Sequence, residues 1–135
     1  MKLAHIGVAV DDLEKAKKFY RDVLGLEVGE EEELKDRKIR VCLVDLGWGG
    51  PAIELIFPTD PDSTVAKFIE KRGPGLHHVC FRVDDVAEHL ARLKAAGVKL
   101  IDEVPRPGAH GTRVAFIHPS ASGGVMLELS QPPRG

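Results

Sequence analysis

The order of apolar and polar positions changes its period along the chain, and each change predicts a new element. Residues 3–10 alternate and are rich in β-branched side chains, which predicts a strand. Apolar residues then recur at helical spacing up to Gly25, after Asp11 or Asp12 as the N-cap. Gly25 lacks a Cβ and can adopt the left-handed conformation that ends a helix. The helical positions are Leu13, Ala16, Phe19, Tyr20 and Val23.

Three strand-like stretches follow this helix and complete a βαβββ pattern in the first half of the chain. They cover residues 26–31, 39–45 and 52–57. The second half shows the same order, with a helix predicted over 86–96 and ending at Gly97. Its predicted strands cover residues 76–83, 98–101, 112–117 and 124–130.

The two halves match in sequence as well as in pattern. Residues 3–12 align with residues 76–85 at an offset of 73, and Glu54 meets Glu128 at an offset of 74. Self-similarity on this scale indicates a duplicated supersecondary unit, because it spans several elements rather than one. The segment Gly73–Gly75, with a proline between two glycines, is the expected joint.

We therefore predict an α+β protein of two βαβββ modules that form a cup-shaped mixed β-sheet. The expected organisation is a single domain over residues 1–135, with module 1 at 1–72 and module 2 at 76–135. A chain of 135 residues buries too little surface for two independently stable domains.

Four polar residues interrupt the apolar strands at equivalent positions of the two modules. Because side chains alternate along a strand, His5 and Val8 lie on opposite faces. The helix would cover the face of Val8. The same alternation places His78, Glu54 and Glu128 on faces turned away from the helices. Each residue alone would suit an ordinary edge or core position, so the repeat symmetry of the set carries the hypothesis. Two imidazoles and two carboxylates suit a divalent metal ion.

Composition and charge exclude several classes of function. Hydrophobic residues at 43% and charged residues at 30% are typical of a soluble folded domain. A net charge of -2 with interspersed signs gives no basic stripe for nucleic acid. No stretch approaches the roughly 20 apolar residues that cross a bilayer, and residues 1–10 lack a basic leader, so we predict a cytoplasmic protein with no membrane partner. Cys42 and Cys80 are expected to be reduced and buried.

Longer stretches allow a comparison with known families. The most specific ones are Ser63–Ile69, Gly75–Cys80, Gly108–Gly111, Phe116–Pro119 and Gly123–Leu129. Together with the paired modules and the order His, Glu, His, Glu, they make the chain resemble the vicinal oxygen chelate superfamily. Within that superfamily the chain is most similar to the methylmalonyl-CoA epimerases, and the resemblance covers essentially its whole length.

The resemblance implies an activity and a cofactor. It implies an enzyme that interconverts the (2R) and (2S) forms of methylmalonyl-CoA by removing and returning the proton at C2 through an enolate. It also implies one divalent metal ion, with Co²⁺ favoured and Mn²⁺, Ni²⁺ and Zn²⁺ as alternatives. The implied ligands are His5, Glu54, His78 and Glu128. The expected partners are a small acyl-CoA substrate and a second copy of the chain in a homodimer.

Epimerisation requires two acid/base groups, one on each face of a planar intermediate. Some related epimerases have Gln at the position of Glu54 and a separate Glu on the preceding strand, where this chain has Val41. We therefore predict that Glu54 and Glu128 both hold the metal and move the proton, as the two catalytic residues.

Two other functions fit parts of the same pattern. Glyoxalase I has a similar ligand set in its bacterial forms, but that family tends to have Arg where this chain has Ala9. A non-enzymatic binding protein of the bleomycin-resistance type is the second alternative, although such proteins generally do not keep all four ligands. Metal analysis with proton exchange on methylmalonyl-CoA and turnover of a hemithioacetal separates the three.

The remaining polar residues leave substrate binding open. The segment 105–113, which contains Arg106, is either a cover over the substrate or an ordinary connection. Ser120 stands where relatives often have Lys, so one contact to the CoA phosphates is missing. Candidate cations for the substrate carboxylate are the strand residues Arg40, Arg82 and Arg113.

Overall fold

The computed structural model describes residues 1–133. The chain divides into two units, one combining Met1–Ala4 with the chain from His78 onward and the other spanning His5–His77. Each unit holds most of one predicted module. The organisation of both modules as one domain stays a prediction.

The first module follows the predicted order, with a short extra strand and a second helix. Its elements are β1 (Lys2–Ala9), α1 (Leu13–Lys18), β2 (Glu27–Val28), β3 (Glu32–Leu34), β4 (Ile39–Asp45), β5 (Ala52–Pro58) and α2 (Thr64–Arg72). The strands pair in the order β2-β4-β5-β1, and β3 also pairs with β4. β1 runs parallel to β5, whereas β4 is antiparallel to its neighbours. The predicted α+β class with a mixed sheet is therefore confirmed.

The first helix begins at a predicted cap but changes form before its predicted end. Asp12 accepts a hydrogen bond from the Lys15 N–H at 3.0 Å, so the second candidate aspartate is the N-cap. A π-helical turn over Phe19–Val23 follows α1, and the Leu24 N–H closes it on the carbonyl five residues earlier. Gly25 then takes a φ of 74°, the left-handed stop that the sequence predicts.

The pattern of the sequence does not predict β3, because glutamates are poor strand formers. This strand pairs with β4 in a register that sets Glu33 opposite Arg40. Just before it, Glu31 binds Lys17 of α1 at 2.7 Å. This hydrogen-bonded ion pair lowers the pKa of the Glu31 carboxyl and raises the pKa of the Lys17 ammonium. The acidic segment is thus attached both to the sheet and to the helix.

The core of the first module lies between α1 and one face of the sheet. Leu13 packs with Cys42 and Val44 of β4 and with Leu55 of β5, and none of these is more than 6% exposed. Removing each large aliphatic side chain from water contributes about 1.5–3 kcal/mol. Val8 of β1 packs against the same cluster. The helix-covered face is therefore the one predicted from strand alternation.

The second module repeats the arrangement with α3 in place of α1. Its elements are β6 (Gly75–Arg82), α3 (Val86–Ala95), β7 (Arg106–Pro107), β8 (Arg113–Ile117) and β9 (Leu127–Gln131). The strands pair in the order β6-β9-β8-β7, with β6 parallel to β9. Asp85 caps α3 by accepting a hydrogen bond from the Glu88 N–H at 3.1 Å, which matches Asp12 in the first module.

The strand predicted over residues 98–101 is wrong. Leu100 makes only an isolated bridge to Ile117 of β8. Beyond it, the Asp102 side chain accepts a hydrogen bond from the Phe116 N–H at 2.8 Å. A carboxylate therefore takes the donor that a continuing strand would have used, and strand pairing resumes only at Arg106.

Helix α2 is absent from the sequence prediction. Ser63 caps it by accepting a hydrogen bond from the Val65 N–H at 3.1 Å, and Val65 is buried. A serine N-cap before apolar positions at helical spacing was the available signal. In residues 1–133, no helix is long and apolar enough to cross a membrane.

Within residues 1–133 both cysteines are fully buried and neither forms a disulfide bond, as predicted. Burial raises the pKa of the Cys42 thiol to about 11. The thiolate is the reactive form, so very little of it exists near pH 8. We expect no rapid reaction of the native protein with a chromogenic disulfide at that pH, and two reacting thiols after unfolding in guanidinium. Reaction of either cysteine within the mixing time of the native protein would contradict this expectation.

Candidate metal centre

The first module brings His5 and Glu54 together. Gly7 of β1 lies directly opposite Glu54 of β5, and His5 precedes it by two residues on the same face. His5 Nε2 lies 3.4 Å from Glu54 Oε1, with the side chains 13% and 11% exposed.

The second module brings His78 and Glu128 together in the equivalent way. Cys80 of β6 lies opposite Glu128 of β9, and His78 precedes it by two residues. His78 Nε2 lies 3.0 Å from Glu128 Oε1, and the side chains are only 2% and 7% exposed. This pair is more completely shielded from water than its counterpart in the first module.

Strand alternation correctly predicts the faces of all four residues. Leu55 follows Glu54 and packs under α1, while Leu129 follows Glu128 and packs in the cluster that contains Leu90 of α3. Each carboxylate therefore lies on the sheet face that the helix of its module does not cover.

The four side chains fit a divalent cation chemically. Each of His5, Glu54, His78 and Glu128 offers one ligand atom, an imidazole nitrogen or a carboxylate oxygen, of the kind that binds divalent metal ions. A buried carboxylate loses hydration, and a cation restores the lost stabilisation. Nitrogen and oxygen ligands of this kind suit several first-row metals. The donor set does not select one of them.

The position expected to lack a base is apolar in the structure. Val41 of β4 is 1% exposed and lies two residues from Leu43, which is directly opposite Glu54. Its side chain shares the face of Glu54 and cannot accept a proton. This position therefore supplies no base, as the sequence predicts.

Two of the three strand arginines considered for the substrate carboxylate are poorly placed for it. Arg40 lies on the face of β4 opposite to Leu43 and pairs with Glu33 at 3.4 Å. Arg113 shares its face of β8 with Ala115, which packs under α3. Arg82 shares the face of His78 but is exposed at the end of β6. Neither Arg40 nor Arg113 faces a carboxylate–imidazole pair.

Two further residues lie near the second pair. The sequence does not predict a site role for Phe116, whereas Arg106 belongs to the segment 105–113, predicted to be either a cover over the substrate or an ordinary connection. Phe116 of β8 lies directly opposite Glu128, and its ring contacts His78 edge-to-face at a centroid distance of 5.6 Å. Arg106 of β7 lies over the same ring, its guanidinium carbon 5.9 Å from the centroid. Strand alternation could have placed Phe116 on this face, but the position of Arg106 depends on the chain reversal after Asp102.

A cavity lies on the same sheet face as the first pair, although neither His5 nor Glu54 lines it. It has a volume of about 520 Å³, and its lining includes Leu43 and Ala52. These residues are the cross-strand neighbours of Glu54 and His5, respectively. The space therefore opens on the sheet face that carries this pair. Carboxylates of Glu27, Glu30 and Asp45 also line it.

Comparison with known proteins gives a consistent result. The glyoxalase/bleomycin resistance protein/dioxygenase superfamily model matches residues 4–116. The mitochondrial methylmalonyl-CoA epimerase of Bos taurus is 44% identical over 131 residues, which are 96% of this chain and 74% of that protein.

Solved structures agree with the sequence comparison. The methylmalonyl-CoA epimerase of Mycobacterium tuberculosis superposes with a TM-score of 0.93 at 40% identity, over 98% of this chain and 89% of that one. A methylmalonyl-CoA epimerase in complex with methylmalonyl-CoA and NH4+ has a TM-score of 0.89 at 35% identity, over 97% and 94%. The predicted vicinal oxygen chelate fold is confirmed by this likeness.

Proposed function

The chain belongs to the glyoxalase/bleomycin resistance protein/dioxygenase superfamily, and we propose that it is a metal-dependent methylmalonyl-CoA epimerase. The observation that carries the proposal is the pair of matched histidine–glutamate contacts, His5 with Glu54 and His78 with Glu128, in a chain 44% identical to an epimerase. Glyoxalase I has less support, because a probable lactoylglutathione lyase of Vibrio parahaemolyticus is 28% identical to this chain, against 44% for the epimerase of Bos taurus. A bleomycin-resistance-type binder also has less support, because the solved structures compared above are epimerases.

In this proposal His5, Glu54, His78 and Glu128 bind one divalent cation. When bound, that cation supplies Lewis acidity, which stabilises negative charge on the thioester oxygen of the substrate. Both histidines act only as ligands. A carboxylate has two oxygens, so each glutamate can bind through one oxygen and exchange a proton through the other.

The two glutamates move the proton. One carboxylate takes the proton from C2, and the electron pair of the broken C–H bond passes to the thioester oxygen to give an enolate. The other glutamate, in its protonated form, returns a proton to the opposite face of C2, and the C=O bond of the thioester forms again. General acid–base catalysis of this kind contributes about 10²–10⁴-fold in rate.

The metal and the assembly are further parts of the proposal. We favour Co²⁺, with Mn²⁺, Ni²⁺ and Zn²⁺ as alternatives, because a mixed nitrogen and oxygen set accepts all four. The substrate is an acyl-CoA, which is supported by the related structure that contains methylmalonyl-CoA. The homodimer rests on the family resemblance, and the cytoplasmic location stays a prediction from the sequence.

Metal binding provides the first test. We expect one Co²⁺ per chain, and we expect His78→Ala to weaken Co²⁺ binding by more than about 100-fold, since a buried nitrogen ligand is lost. Calorimetric titration with Co²⁺ and elemental analysis measure both quantities. His118→Ala is the matched control, because His118 only hydrogen-bonds Ser120 at 2.8 Å. Full retention of Co²⁺ by the His78 variant would contradict the assignment of the ligands.

The catalytic roles are tested by hydrogen exchange in D₂O. Glu54→Gln keeps an oxygen ligand but removes a base, so we expect the metal to stay bound while deuterium uptake at C2 falls about 10²–10⁴-fold from one epimer. Mass spectrometry of each epimer, incubated separately, measures the uptake. Glu128→Gln should abolish uptake from the other epimer.

Two results would count against this mechanism. Unchanged exchange from both epimers in the Glu54 variant would remove Glu54 from the proton path. Turnover of a hemithioacetal by the wild type, without exchange on methylmalonyl-CoA, would favour glyoxalase I instead.

A further inference from the structure

The guanidinium of Arg106 lacks the hydrogen bonding that a buried donor normally has. Its Nε atom is buried and has no hydrogen-bond partner within residues 1–133. The nearest carboxylate oxygen, Oδ1 of Asp102, lies 3.6 Å away, which is an ion-pair distance rather than a hydrogen bond. Buried polar atoms are paired in most proteins, so this exception points to an additional role.

Asp102 holds the arginine in place without neutralising its outer end. Asp102 Oδ2 is already engaged by the Phe116 N–H at 2.8 Å, and the carboxylate is only 13% exposed. The Arg106 side chain is 42% exposed. The Nε atom is therefore covered, whereas the side chain as a whole is partly open to solvent.

The connection that carries Arg106 is fitted closely to the sheet. The Gly108 N–H donates to the Thr112 carbonyl at 2.9 Å. A Cβ at Gly108 would lie 2.6 Å from a methyl group of Val114, so only glycine allows this approach. Arg106 itself lies opposite Val114 in the β7–β8 pair. The backbone thus fixes the position from which the arginine extends.

Register places Arg106 on the face that carries the second histidine–glutamate pair. Val114 and Phe116 share one face of β8, and Phe116 lies opposite Glu128. The Phe116 ring contacts both the guanidinium, at 5.9 Å, and the His78 ring, at 5.6 Å. The cation and the imidazole therefore share one aromatic neighbour.

We propose that Arg106 binds the free carboxylate of the acyl-CoA substrate and so selects malonyl-type thioesters over simple acyl thioesters. The inference rests on the proposed epimerase function. A guanidinium is planar and suits a carboxylate through two parallel hydrogen bonds. Its contact with the Phe116 ring restricts its orientation and adds a cation–π attraction.

Charge and position favour the carboxylate over the CoA phosphates as the bound anion. The carboxylate is attached to C2, the carbon that Glu128 serves, whereas the phosphates lie at the far end of the pantetheine arm. An anion brought beside a buried glutamate is repelled, and a nearby positive charge offsets that repulsion. Arg106 supplies this charge on the same sheet face as Glu128.

The test compares two ligands with the Co²⁺-loaded protein by calorimetry. Methylmalonyl-CoA at its epimeric equilibrium carries the carboxylate, and propionyl-CoA lacks it. We expect Arg106→Gln to weaken methylmalonyl-CoA binding by about 10- to 100-fold, as for the loss of hydrogen bonds between charged groups. Propionyl-CoA binding should change less than about 2-fold. Arg106→Lys keeps the positive charge but loses the paired N–H donors of the guanidinium. It should therefore weaken the binding of methylmalonyl-CoA to an intermediate extent and leave propionyl-CoA binding unchanged.

Arg113→Gln is the matched control, because Arg113 is an exposed arginine on the opposite face of the adjacent strand. It should leave both affinities unchanged. If Arg106→Gln weakens the binding of both ligands equally, Arg106 contacts the CoA portion and the proposal is overturned. Unchanged affinity for both ligands would also overturn it. If the wild type itself fails to bind methylmalonyl-CoA, the proposed function fails first, and the two failures are therefore distinguishable.

Discussion

The burial of two glutamates beside two histidines is the constraint on which the rest of each module depends. Glu54 is 8% exposed and Glu128 is 5% exposed, yet each sits on a strand whose other face is core. Ionised carboxylates with so little water are costly without a compensating charge. Each module accepts this cost at one position and fills the positions on either side with aliphatic side chains that pack under a helix. One face of each of these strands therefore packs in the core, and the opposite face carries the candidate metal ligands.

Duplication explains why the two pairs are alike, and later divergence explains why they differ. Opposite Glu54 the parallel neighbour is Gly7, whereas opposite Glu128 it is Cys80. On the antiparallel side Leu43 faces the first glutamate and Phe116 faces the second. The second pair is drier and packed against an aromatic ring, while the first shares its sheet face with a cavity of about 520 Å³. The two carboxylates therefore lie in unlike surroundings.

The sequence predicts those features that depend on alternation and repetition. Strand alternation alone places His5 on the face away from Val8, and the repeat transfers the argument to the second module. Features that depend on one side chain capturing a backbone group are not periodic, so they were missed. Asp102 is an example: its side chain accepts a hydrogen bond from the Phe116 N–H, and no strand forms over residues 98–101, where the apolar pattern predicts one. Helix α2 escaped the prediction although Ser63 marks its start.

The wrong strand prediction over residues 98–101 and the proposed contact of Arg106 with the substrate carboxylate have the same physical origin. If Asp102 did not take the Phe116 donor, the chain could continue beside β8 in regular pairing, and Arg106 would occupy another register. Because the carboxylate stops the ladder, the chain leaves the sheet and returns at Arg106, with Gly108 permitting the close approach to Val114. The same aspartate then lies 3.6 Å from the arginine whose place it has determined. A break in one strand thus brings a cation to the face that carries Glu128.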